Sequence, residues 1–434
     1  MPASAAALTV IDVIHRTVCL QQFQMASMRK LGKIVIVSEH YAPDPSTTAT
    51  YITAIANGLT ADHEVLVISG TAHSASPATS ESARPYVVEI SSWTPEKDAL
   101  VRRAIAMALF SVKMFFATLK RVTRNDVVLS VTTPFVPPYS VTLAAKLRGA
   151  SVALLIYDLY PEALVMAGLV QPGSLVARTI RVANGILFGA LDAIITIGRD
   201  VEPLLLNYKS VESRQIRFIP NWALLPIGYR EIANGNSFRH PFADKLVVGL
   251  SGNLGFTHSA STVYEAARLL KDEKNIHFLL SGWGSGWKQL TELYAKAPLD
   301  NVTLIDRVPE SELEEFLSAA DVWIIPYRRN VAGVSVPSRI YNLIAVGRPI
   351  IVAAEGYSEA ALMLKEEDIG WVVRPEDPLD LAEAIRSAAS DREETLAKGR
   401  RAALAAQRYR YDRAIASYRQ IISDVMYNRP VNRS

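Results

Sequence analysis

A single cysteine, Cys19, stands in 434 residues. One thiol makes neither an internal disulfide nor a thiolate metal site, and the composition suits a reducing cytosol. The seven histidines are scattered, with no H-x-H or H-x-x-x-H pair. No metal or other cofactor is therefore expected. Charge of one sign is also lacking: the formal net charge is +3, which leaves no global footprint for a nucleic-acid partner. No uncharged apolar run reaches the length of a membrane-spanning helix. The opening "MPASAAALTVIDVIHRTVCLQQFQMASMRKLGK" has no compact apolar core followed by a small-residue cleavage site, which argues against a signal peptide. Residues 1–30 read as a leader, disordered or lying ahead of a true start at Met25 or Met28.

What is present is an alternation. Half of the residues are hydrophobic and 21% are charged, as in globular chains, and the length suits two domains of about 150–200 residues. "KIVIVSEHYAPDPS" is a buried parallel strand that breaks into a polar loop, followed by a helix over 47–60 and the strand "HEVLVISG". "DVVLSVTTPFVPP", "SVALLIYDLYPEA", "LDAIITIG" and "QIRFIPNWA" repeat the pattern. Residues 223–244 lose it and read as a linker. The rhythm restarts with "KLVVGLSGNLG", "IHFLLSGWGSG", "NVTLIDRVP", "DVWIIPY" and "GWVVRPEDP". This predicts an α/β protein with two doubly wound domains, 31–222 and 245–410, and a last helix over 411–434 that crosses back to the first. Ligands of such sheets bind beyond the carboxyl ends of the strands.

The stretch "GVSVPSRIYNLIAVGRPIIVAA", residues 333–354, carries polar groups at the front of an apolar unit. Read as a helix over 336–346, it has Ser335 as N-cap, Pro337 in its first turn and Gly347 as its stop. Ser335, Ser338, Arg339 and Asn342 then share one face at the helix start, a place suited to phosphate. The alternative is a capped helix with a solvated polar face. Gly252, Asn253, Gly255 and Gly282 lie in two further glycine loops after strands, and together the three loops suggest a nucleotide-diphosphate pocket.

"VPSRIYNLIAVGRPIIVA", "LSGNLGFTHSASTVYEAARLL", "RVPESELEEFLSAADVWIIPY", "VTTPFVPP", "IYDLYPEALVMAGL" and "FIPNWA" together resemble the retaining glycosyltransferases of family 4. The similarity is greatest to their surface-polysaccharide branch of WbuB and WcaI type, and it runs from about Lys33 to about residue 410. The resemblance implies a GT-B fold, in which two Rossmann-like domains face a central cleft. It implies a nucleotide-sugar donor in the C-terminal domain, a saccharide acceptor, lipid-linked in this branch, on the N-terminal side, and no metal. The departing diphosphate would help to deprotonate the acceptor hydroxyl, so stabilising it is the main catalytic task. Arg339 matches that task; Glu355, at the end of the strand after this helix, fits either a contact to the donor sugar or a solvated loop glutamate.

Some positions depart from the family. The motif Glu-x7-Glu aligns with Val334 and Asn342, the usual Arg is Asn253, and the usual Lys falls near Thr257, His258 or Ser259. The first loop, "PDPSTTAT", lacks the usual Gly-Gly. Asp158 fits either a hydroxyl-orienting carboxylate or a helix N-cap, and Glu162 a first-turn partner of the helix dipole. His40 and Tyr41 are acceptor-side candidates at the end of the first strand. "DALVRRAIAMALFSVKMFFATLKR", residues 98–121, reads as an apolar helix edged by cations, which suits peripheral contact with the inner face of the cell membrane or packing against the N-domain. The rival functions are another GT-B enzyme, such as a nucleotide-sugar epimerase, and a nucleotide-sugar-binding scaffold without catalysis. No G-x-G-x-x-G follows the first strand, which disfavours a Rossmann dehydrogenase.

Overall fold

A computed structural model describes residues 32–71, 84–93, 100–233 and 235–427. The leader assigned to residues 1–30 lies outside the described residues. Among those described, strands form two sheets, and every strand pairing recorded within them is parallel. The first sheet contains β1 (Ile34–His40), β2 (Val65–Thr71), β3 (Tyr86–Glu89), β4 (Val127–Val131), β5 (Ser151–Ile156), β6 (Ala193–Thr196) and β7 (Ile216–Phe218), in the order β3-β2-β1-β4-β5-β6-β7. The second contains β8 (Leu246–Asn253), β9 (Ile276–Trp283), β10 (Val302–Ile305), β11 (Val322–Pro326), β12 (Ile350–Ala353) and β13 (Gly370–Val373), in the order β10-β9-β8-β11-β12-β13. In both, the order reverses beside the first strand, the topological switch point of doubly wound sheets.

The physical cause is visible in β8. Leu246, Val247, Val248 and Leu250 are buried because helices cover both faces of a parallel sheet, and the strand turns polar only at Ser251–Asn253, where it leaves the core. Gly249 lets Trp323 of β11 lie against the backbone: a Cβ there would meet the indole at 2.6 Å. Trp323 in turn packs edge-on against Phe316 and donates its indole N–H to Leu317 O at 3.0 Å.

By packing, the chain divides into two compact units. One holds the described residues up to Leu154, Ala190–Asp192 and the chain from Gln420; the other holds Leu155–Gly189 and Ala193–Arg419. All strands of the first sheet precede residue 222, yet β6, β7 and the segment after β5 fall in the second unit. The bonds that draw them there involve Asp158, Asp200 and Leu224, and they assemble the site described next. The last helix, Tyr411–Tyr427, is shared between the units at Gln420.

Three helices matter below: α1 (Leu100–Arg121), α2 (Ala260–Leu269) and α3 (Arg339–Ala345). Ser259 caps α2 by accepting from Thr262 N.

Candidate functional site

The site belongs to the second unit and is built at strand ends. β8 leaves the sheet through Gly252, whose φ of +96° favours glycine. A Cβ on Gly282, at the end of β9, would stand 2.7 Å from Gly252 O, so the two glycine exits lie in direct contact. Asn253 is exposed, and Gly255 follows in the same loop.

Arg339 opens α3 and reaches this loop. Its Nη1 donates to Ser251 O at 2.6 Å and its Nη2 donates to Asn253 O. The guanidinium is thus held by carbonyls. Burial pulls its pKa down to about 10, with Tyr327 opposing the fall. It remains a cation at neutral pH, but a poorly solvated one, which raises its affinity for an anion.

Tyr327 and His258 complete this corner. They pair in an antiparallel bridge, with ring centroids 5.1 Å apart. Burial, and then the charge of Arg339, pushes the His258 imidazole well below its ordinary range, so it is neutral. Its Nδ1 faces Thr257 Oγ1 at 3.0 Å, while its Nε2 is buried without a hydrogen-bond partner among the described residues. Tyr327 Oη donates to Ser335 O at 3.4 Å.

Asp158 enters from the exit of β5. It forms an antiparallel bridge with Ser335, and its side chain is hydrogen-bonded to that residue. Leu159 N donates to Val334 O at 3.0 Å. Burial raises the Asp158 carboxyl above its ordinary value, and the bond to Ser335 only partly offsets this. Asp158 is not a helix N-cap: the next helix spans Glu162–Met166, with Pro161 at its cap position. Glu162 lies in that first turn and pairs with Arg181 at 3.1 Å.

Several expectations require correction. The helix begins at Arg339, not at residue 336, and its cap position is Ser338, which makes no side-chain cap bond. Ser335 is no N-cap, because residues 334–335 are drawn into the bridge with Asp158 and the residue before Pro337 disfavours helix. α3 is seven residues long, so anion affinity here rests on the guanidinium more than on a helix end. Asn342 does not offer its carbonyl to a ligand: Oδ1 accepts from Leu224 N at 2.8 Å and Leu225 N at 3.3 Å. Glu355 accepts from Asn330 N through Oε1, while its Oε2 is buried without a partner among the described residues.

Asp158, Gly252, Asn253, Gly282, Ser335 and Arg339 are therefore linked, directly or through one neighbour. His40 and Tyr41 lie in the other unit. There His40 Nδ1 meets Asp44 Oδ2 at 2.8 Å, and burial pushes the Tyr41 hydroxyl up to about 12. Sequence reasoning missed Tyr327, although its place at the end of "DVWIIPY" was a usable signal. It also missed Asp200, which follows β6 and accepts from Gly333 N at 2.9 Å. Trp283, at the end of β9, is 41% exposed and carries Arg307 over its ring at 4.4 Å.

Comparison with known proteins adds the class. Residues 236–405 match the family described as "Glycosyl transferases group 1". The probable glycosyltransferase WbjE of Pseudomonas aeruginosa is 28% identical over 365 residues, covering 82% of this chain and 89% of its own. The putative colanic acid biosynthesis glycosyl transferase WcaI of Escherichia coli (strain K12) is 26% identical over 378 residues, covering 82% and 92%. Among solved structures, Anabaena Alr3699/HepE in complex with UDP-glucose superposes with a TM-score of 0.65 at 14% identity, covering 91% of this chain and 99% of that one. WaaG, a glycosyltransferase involved in lipopolysaccharide biosynthesis, superposes with a TM-score of 0.60 at 15% identity, covering 91% and 100%. With two parallel sheets of this topology and a group 1 domain over 236–405, the chain is a glycosyltransferase of the GT-B fold.

Proposed function

We propose that the enzyme transfers a sugar from a nucleotide-sugar to a lipid-linked saccharide in surface-polysaccharide biosynthesis, with retention of configuration. The observation that carries this reading is the desolvated Arg339 guanidinium in contact with the Gly252–Asn253 exit. A half-buried, poorly solvated cation at a glycine loop is a place for the diphosphate, first of the donor and then of the leaving group. Trp283 offers a flat face to a nucleobase. Val334 replaces the family's first glutamate and is itself buried. Asp158 brings a carboxylate to the adjacent residue from another strand, which gives a sugar hydroxyl an acceptor at that corner. The names of WcaI and WaaG support the class of pathway, that of WbjE supports glycosyl transfer, and the titles of the Alr3699/HepE structures support a nucleotide-sugar.

A thermal-shift screen of UDP-, GDP- and dTDP-sugars tests this. A true donor at 100 times its Kd should stabilise the protein by about 2.7 kcal/mol. Its nucleotide diphosphate should then be released on addition of acceptor lipid. A flat response to every nucleotide-sugar would end the proposal.

The acceptor side of the proposal rests on α1. Phe110 and Met114 face inward and are buried. Val101, Ile105, Leu109, Val112 and Phe116, at helical spacing, are between 50% and 74% exposed. Arg102, Arg103, Lys113, Lys120 and Arg121 edge the helix, which has no acidic residue. Among the described residues no helix is long and apolar enough to cross a membrane. The second apolar face of α1 suits a helix lying in the interface of an anionic membrane, on its inner face. The enzyme should float with phosphatidylglycerol vesicles at low salt. Replacing Arg102, Arg103, Lys120 and Arg121 by Gln should weaken binding by about 1 kcal/mol per cation. No flotation at low salt would remove the membrane from the proposal.

A further inference from the structure

The loop that brings Ser335 to Asp158 is held by a residue outside the family motifs. We infer that Asp200 is a positioning residue for this enzyme: its carboxylate fixes the Gly333–Ser335 segment and thereby the Asp158–Ser335 contact. The inference rests on the reading of that contact as part of the active site.

Asp200 is 8% exposed. Its Oδ2 accepts from two backbone donors, Gly333 N at 2.9 Å and Glu359 N at 3.0 Å. One oxygen thus ties the loop to the start of helix α4 (Glu359–Glu367). The neighbouring residue locks the same helix. Arg199 N and Nε donate to Glu359 Oε2 at 2.8 and 2.9 Å, its Nη2 donates to Glu359 Oε1 at 3.0 Å, and its Nη1 donates to Glu366 Oε1 at 2.7 Å. The Glu359 side chain is 1% exposed, and Arg199 is the cation that balances it.

The close approach is built in at both ends. A Cβ on Gly198 would stand 2.5 Å from Asp200 Oδ1 and 2.7 Å from Val336 Cγ2. Gly333 has φ +76°, and a Cβ there would stand 2.6 Å from Asp200 O. The two glycines let the Arg199–Asp200 turn and the loop come together at backbone distance. One residue beyond Gly333, Val334 O accepts from Leu159 N, and the next residue is the partner of Asp158. Asp200 therefore acts on the corner through two peptide units. Burial raises the Asp200 carboxyl above its ordinary value while the two backbone N–H bonds favour its ionised form, and a neutral amide accepts such bonds less strongly.

The test is hydrogen–deuterium exchange of the full chain, read on peptides covering residues 330–336 and, as a reference, residues 247–251 of β8. In Asp200→Asn the loop peptide should exchange at least tenfold faster while the β8 peptide is unchanged. With the sugar donor found by the screen, kcat should fall about tenfold or more while the Kd for UDP or GDP moves less than threefold. Gly198→Ala, whose Cβ presses on the chemically unchanged Asp200 carboxylate and on Val336, should give the same pattern if Asp200→Asn fails to fold. Unchanged loop exchange, or equal acceleration in loop and β8, overturns the positioning role. Asp158→Asn separates this from the reading beneath it. If Asp158→Asn keeps full turnover, the active-site assignment fails whatever the loop does. If Asp158→Asn is impaired and the loop does not respond to Asp200, only the positioning role fails.

Discussion

Arg339→Ala is expected to lower kcat by roughly 10²–10³, the loss typical of one preorganised donor to a developing anion. Affinity for UDP or GDP should fall by a smaller factor. The asymmetry follows from the geometry. The guanidinium lies on Ser251 O and Asn253 O, with burial lowering its pKa to about 10. Neutral carbonyls compensate a buried cation only in part. A leaving diphosphate gains charge as the glycosidic bond breaks, so its attraction to the guanidinium is largest in the transition state. Arg339→Lys should recover only part of the rate, because an ammonium cannot span two acceptors in a fixed fork. The alanine variant also strands two carbonyls, so the kinetics are read on protein whose melting temperature has been measured. Turnover near the wild-type value would show that Arg339 only fastens the exit of β8.

The sheets were legible because their strands are continuous apolar runs closed by polar loops, a pattern that burial on both faces imposes. The donor corner was legible as types of residue but not as contacts. Arg339 and Gly252 were each visible at a strand or helix end, whereas their meeting depends on β8 and α3 being neighbours in space. The start of α3 was misplaced by three residues for a tertiary reason. Residues 334–338 have a plausible capping pattern, but the bridge from Asp158 and the bond from Leu159 N hold Val334 in a turn and Ser335 in a bridge. Asn342 illustrates the converse. Its place on the face of Arg339 suggested a ligand, and no local pattern reveals that two backbone N–H groups, of Leu224 and Leu225, claim its oxygen. Asp200 was silent because "IGRD" has no motif, and its partners lie 133 and 159 residues away.

Asp158→Asn is expected to lower turnover by roughly 10²–10⁴, the range for a positioned acid or base. The pH dependence makes this specific. Burial raises the Asp158 carboxyl above the ordinary 3.8. If the ionised form accepts a hydrogen bond from a reacting hydroxyl, kcat/KM should have an acid limb centred above 3.8, and the asparagine variant should lack it. Stability should move the other way. A carboxyl whose pKa is higher in the folded state favours folding when protonated, and that contribution is lost as pH rises through the folded value. Above the folded value the wild-type enzyme therefore bears the cost of a desolvated carboxylate, which the amide does not have. At pH above the acid limb Asp158→Asn should melt at an equal or higher temperature than wild type while being far slower, and the stability difference should shrink as the pH falls below the folded value. A residue retained for packing or capping alone would behave otherwise: its loss would lower the melting temperature and leave the acid limb in place. The paired measurement, a pH–rate profile and a pH–melting profile on the same two proteins, decides between the two. A carboxylate that destabilises the fold at the pH where it accelerates the reaction is held there by the chemistry.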